Sequence, residues 1–291
     1  WLKLAQRGEH KSGVPEPSAW GGRFENRLPE RMEINIWGCL WNLDGGPFLM
    51  RQRIPEVCVF KGCQLDGWYY SNPSGLLLRQ RDDITIKELL HVFCASAYDE
   101  GARSDEQVPV AILRKQSTQL DDGSAPLDVP HAVVLSLKEF KHLLDNVQNG
   151  IAVADVWSVQ TIVPPDDGLR VVSIYHCDST GKEKSEVFAR QYHKCYAMSS
   201  QLVTLPSADD IASDSCMPVP PSRRRAVESK TLNAVRFASR FHNLDFEGLV
   251  LEFVFTAQGH ALLHGCWCSA LFPQEARRRL RGRPCGGARA A

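Results

Sequence analysis

His260, His264, Cys266 and Cys268 place four zinc-type ligands within nine positions of one another. Zinc takes imidazole nitrogen and thiolate sulfur at about 2.0 to 2.3 Å, in a tetrahedron usually drawn from a tight turn and a second, distant element. His264, Cys266 and Cys268 alternate along a stretch that reads as a strand. They are therefore expected on one face, spaced by about 6.6 Å from one to the next, too far apart to close around one ion. No Cys-x-x-Cys pair occurs, and Cys58 with Cys63 has knuckle-like spacing but no second pair. The expected metal is none, with His264, Cys266 and Cys268 the candidates if one is held. Nucleotide signatures are absent too: there is neither a Walker pattern nor Gly-x-Gly-x-x-Gly, and Gly45-Gly46 and Gly286-Gly287 lack a strand-to-helix setting. Gly-x-Ser-x-Gly is missing, and the nine histidines are dispersed. Asp82-Asp83, Asp121-Asp122 and Asp166-Asp167 sit beside turns or helix starts, where carboxylates cap backbone N–H groups. On these residues no catalytic or cofactor-binding group is expected, and no cofactor.

One segment bears a family likeness. The closing hairpin, Leu249 to Trp267, is similar to the final hairpin of the ATP-grasp ligases. In that family an acidic residue on the first strand is followed, after a turn, by a Glu and an Asn on the second, and together they hold magnesium ions. Glu252 falls where the first acid is expected, whereas Gly265 and Trp267 occupy the two second-strand positions. The likeness is confined to this hairpin and keeps one of three functional residues. The activity is therefore not carried over, and Glu252 reads from its own surroundings as a solvent-facing residue of an edge strand.

Aromatic and basic residues point instead to contact surfaces. Of seven tryptophans, Trp1, Trp20, Trp37 and Trp41 fall in the first 41 residues. Trp1 and Trp20 sit on a polar arm, as anchors for a partner would, while Trp37 and Trp41 read as sheet core. Arg223, Arg224 and Arg225 form a local basic patch, suited to an acidic surface such as tubulin. The function expected from sequence is a non-catalytic structural or interaction protein of a larger assembly, cytoskeletal or flagellar in setting, whose partners are other proteins. The alternatives are a degenerate nucleotide-binding, ATP-grasp-like enzyme or pseudoenzyme and, further off, a ribonucleoprotein component.

The elements that must position these residues read as an α+β fold, antiparallel β-meanders with amphipathic helices packed on one side. Residues 1–30 are turn-rich and read as an extended arm. Glu33 to Leu43 and Phe48 to Arg53, joined at Asp44-Gly45-Gly46, read as a hairpin. Strands follow at Glu56 to Phe60, Trp68 to Tyr70 and Val108 to Leu113, with a surface loop at 115–130. Thr85 with Glu88, and Ser136 with Glu139, are capping-box pairs that open two amphipathic helices. Ile151 to Val163, Leu169 to Cys177 and Lys182 to Tyr196 read as one meander. Residues 206–223 read as a Pro/Ser linker, and a helix is expected from about Arg224 to His242 before the closing hairpin. Residues 276–291 read as an Arg-rich tail.

Composition bounds the class. Apolar residues at 43% and charged residues at 23% suffice for a packed core. Lys plus Arg equals Asp plus Glu at 34 each, which argues against binding bulk nucleic acid, since phosphate contacts demand a basic excess. No 18-residue apolar run suggests a membrane span. Ten scattered cysteines fit reduced, buried thiols in an intracellular, cytoplasmic-type compartment. The chain opens on Trp1 rather than methionine, so a targeting segment and import into an organelle stay open.

Overall fold

The structure, a computed structural model, describes residues 36–41, 50–80, 85–98, 109–115, 131–154, 156–191, 202–204 and 217–272. The arm, the tail, most of the proposed linker and the loop at 116–130 lie outside these residues, as do Trp1 and Trp20. The described part is an α+β fold of two antiparallel sheets with helices against them.

The first helix, α1 (Ile36–Leu40), stands where sequence suggested a strand. Ile36, Trp37 and Leu40 are all buried, a helical spacing that an alternating pattern cannot satisfy. Next come β1 (Val57–Lys61), β2 (Gln64–Ser71) and β3 (Leu77–Gln80), then α2 (Ile86–Tyr98) and β4 (Pro109–Lys115). β5 (His131–Ser136) runs directly into α3 (Leu137–Gln148), and β6 (Val156–Thr161) follows. Both expected capping boxes form. The Thr85 N–H donates to Glu88 Oε2 at 2.7 Å, and the Ser136 N–H donates to Glu139 Oε2 at 2.7 Å. β7 (Leu169–Cys177) and β8 (Glu183–Gln191) make the long hairpin, followed by β9 (Leu202–Thr204). The last helix, α4 (Pro221–His242), starts on a proline suited to a first turn and stops at Asn243 in the left-handed region. β10 (Phe246–Phe255) and β11 (Ala261–Leu271) close the chain.

The large sheet runs β3-β2-β1-β6-β4-β5-β9, and the small one β11-β10-β7-β8. The expected single meander across residues 151 to 196 is therefore split. β6 pairs with β1 and β4 in the large sheet, while β7 and β8 belong to the small one. Tandem order along the chain suggested neighbours; β6, buried at every position but Ser158, instead takes a central place in the large sheet.

Each sheet has its own core. Cys58, Phe60, Ala111, Leu113, Trp157 and Val159 present one face of the large sheet to α2 and α3. Val171, Tyr175, Leu249, Leu251 and Phe253 present one face of the small sheet to α4, with α1 and residues such as Val57 and Tyr69 joining the same cluster. Alternation then fixes what lies opposite. On β4 and β6 the residues turned away from α2 and α3 include Arg114 and Gln160. On β7 and β10 those turned away from α4 include Arg170 and Glu252. The sheets are tied where the Leu263 N–H donates to the Arg53 carbonyl at 2.8 Å. Among the described residues, no helix is long and apolar enough to cross a membrane.

Candidate functional site

Glu252 is the centre of a buried polar group between the two sheets. It lies on β10, which is flanked by β11 and β7, so the edge-strand position expected for it is corrected: the residue is internal and 0% exposed. Its Oε2 accepts from Arg170 Nη1 at 3.2 Å, and its Oε1 accepts from His264 Nδ1 at 2.8 Å. The pairing explains the approach. Glu252 stands opposite Val172 on β7, one step diagonal from Arg170 on the same face.

On the other side the register slips. Phe253 pairs with Leu263 but Glu252 pairs with Gly265, which leaves His264 as an extra residue in β11. The bulge puts His264 and Gly265 together across from Glu252. Arg114 and Gln160 then reach over from the large sheet. The Arg114 Nε–H donates to Gln160 Oε1 at 3.1 Å, and the Gln160 Nε2–H donates to the His264 carbonyl at 2.7 Å.

The electrostatics follow from burial and charge. Burial alone would raise the Glu252 pKa. The Arg170 guanidinium, the His264 hydrogen bond and the nearby Arg114 overcome it and hold the carboxyl well below the usual carboxylate range. Burial lowers the His264 pKa, outweighing the adjacent carboxylate that would raise it, so the ring is neutral at pH 7. A neutral ring donating through Nδ1 has Nε2 as its acceptor atom. Within this group of side chains two guanidinium ions face one carboxylate. Fixed guanidinium N–H donors of this kind are suited to anions, phosphate in particular.

The other sequence-predicted residues do not converge here. Cys266 pairs with Leu251 and packs against the core beneath α4, so the bulge separates it from His264 rather than lining the two up. The Cys268 side chain lies outside the described residues. Among the described residues, no group of three His, Cys, Asp or Glu side chains could hold a metal ion. Arg223 lies in the first turn of α4, paired with Asp167 and 4.6 Å from the Phe255 ring centroid. Arg224 pairs with Glu228 at 3.0 Å, and Arg225 is exposed.

Sequence reasoning missed Arg114, Gln160 and Arg170. Their signal was a polar residue set into an apolar β-run: Arg114 ends Val110 to Leu113, Gln160 interrupts Trp157 to Thr161, and Arg170 opens Leu169 to Ile174. A strand buried on both faces admits such a residue only with a partner.

No protein-family model matches the chain, and no curated protein matches it in sequence. Solved structures similar to it include the D-alanine–D-alanine ligase from Coxiella burnetii, at 10% identity over 76% of this chain and 43% of that one, with a TM-score of 0.35. D-cycloserine synthetase DcsG is similar at 10% identity over 79% and 63%, with a TM-score of 0.36. A RiPP-associated ATP-grasp ligase of Chryseobacterium gregarium, in complex with ADP and a leader and core peptide, gives 10% identity over 74% and 47% and a TM-score of 0.36. The chain thus spans less than two thirds of each of these structures. Likeness of this degree carries neither activity nor substrate across.

The expectation of a non-catalytic cytoskeletal or flagellar scaffold is corrected. It required that no set of ionisable groups converge, and Arg114, Arg170, Glu252 and His264 converge in a water-poor space.

Proposed function

We propose that the chain is a degenerate ATP-grasp-like enzyme that binds a nucleotide through its phosphates at the junction of the two sheets. One observation carries this reading: the Glu252 that the hairpin likeness marks out sits at the middle of a buried set of anion-attracting donors. Arg114 is the group nearest solvent in that set, at 9% exposed against 4% for Arg170. It is the donor that a phosphate entering between the sheets reaches first. Arg170 is held by Glu252 and positions the carboxylate rather than the ligand.

The carboxylates that the family uses for magnesium are not matched. Both Glu252 oxygens are engaged by protein, and Gly265 and Trp267 have no acid to offer. The residues present do not fit a divalent cation, so the reading gives the protein's own cations the work of holding phosphate.

Calorimetry with ADP and ATP tests it. The wild-type chain is expected to bind both. Arg114→Gln is expected to bind about 10- to 100-fold more weakly, the loss of one charged hydrogen-bond donor. Failure of the folded wild-type chain to bind either at millimolar concentration rejects the reading.

A further inference from the structure

Gly265 marks a place that a side chain cannot share with Arg114. A Cβ built on Gly265 would lie 2.5 Å from Arg114 Nη2, 2.7 Å from its Cζ and 3.2 Å from its Nε. The guanidinium is not a loose end that could swing aside at no cost. Gln160 holds its Nε, and Gln160 is itself fixed by the His264 carbonyl. A carboxylate at 265 would have to evict it.

Resting on the nucleotide reading above, we infer that this site binds its anion without a divalent cation, the Arg114 guanidinium filling the space over Gly265 that a metal and its carboxylate would need. Three observations support this. Glu252 has one oxygen on Arg170 and the other on His264, so neither is directed at a site for an ion. Hard cations such as magnesium take several oxygen ligands, and the side chains around Glu252 bring nitrogen donors instead. Arg114 and Arg170 already lower the carboxyl pKa through space, and the same field repels a further cation. Arg114 and Gly265 are thus matched, since the guanidinium occupies the space that a Cβ at 265 would fill. A guanidinium supplies a fixed fork of donors to phosphate oxygens, which is the neutralising work a metal would otherwise do.

The test measures ADP and ATP binding to the full chain in excess magnesium and in EDTA. Manganese spectra are recorded on the same protein without nucleotide. Dissociation constants in the two buffers are expected to agree within about twofold, far inside a tenfold change, and manganese is expected to stay free. Two results overturn the inference while the nucleotide reading stands. One is a tenfold or greater loss of nucleotide binding in EDTA. The other is manganese immobilised by the wild-type chain and released by Glu252→Gln. Absence of nucleotide binding in both buffers overturns the nucleotide reading and this inference together.

Discussion

Glu252, Arg170 and His264 make a buried arrangement in which no member is dispensable alone. Removing one partner of a buried ion pair leaves the other charge uncompensated, which typically costs about 3–5 kcal/mol. Glu252→Gln is expected to destabilise the fold by that amount in urea denaturation. Replacing Glu252 and Arg170 together by methionine is expected to recover most of the loss, because both charges then leave the interior. Acid should act on the same residues. Both pKa values are lowered in the folded chain, so the unfolded chain binds more protons and stability falls with pH. The His264 contribution is present above about pH 6.5, the ordinary histidine value, and is lost as pH drops below it. The Glu252 contribution is lost lower still, below about pH 4.3. Denaturation midpoints measured from pH 8 to pH 4 should decline in that order, and His264→Asn should flatten the upper part of the curve.

At the scale of elements, local signals were the ones a sequence could show. The capping boxes at Thr85 and Ser136, the Asn149-Gly150 stop and the turn at Gly259 each depend on residues within four positions, and each formed as read. Ser136→Ala is expected to cost about 1 kcal/mol by removing the cap of α3, measured by thermal or chemical unfolding. What stayed hidden was pairing. Nothing in Val156–Thr161 distinguishes a neighbour of β7 from a neighbour of β1, since the choice depends on which sheet can bury both of its faces. The site was hidden for the same reason. Arg114 and Glu252 are 138 positions apart, and only the approach of two sheets brings them together. The bulge at His264 is likewise invisible to a strict alternation, which wrongly placed His264 and Cys266 on one face.

For the molecule as a whole, the small sheet joins strands from both sides of residues 192–216, since β10 pairs with β7 along seven residues. The Met217 and Ala189 backbones add a further tie, each N–H donating to the other's carbonyl at 2.9 and 3.0 Å. The chain divided at residue 210 and expressed as two pieces is therefore expected to reassemble. Co-purification of an untagged 211–291 piece with a tagged 1–210 piece, withstanding salt but separating in urea, is the predicted outcome. Independent elution of the two would mean that continuity of the backbone, not strand pairing, holds the halves.

The extra residue in β11 makes strand length a control on which side chains meet. Deleting His264 would leave Leu263 and Gly265 opposite their present partners but would take the imidazole from Glu252 and the carbonyl from Gln160. Deleting Leu263 instead would draw the imidazole into the hydrocarbon beneath α4 and leave the carboxylate with only arginine for company. Both losses, one position apart, would thus strip the carboxylate of its imidazole, but only the second would force that ring into the apolar interior.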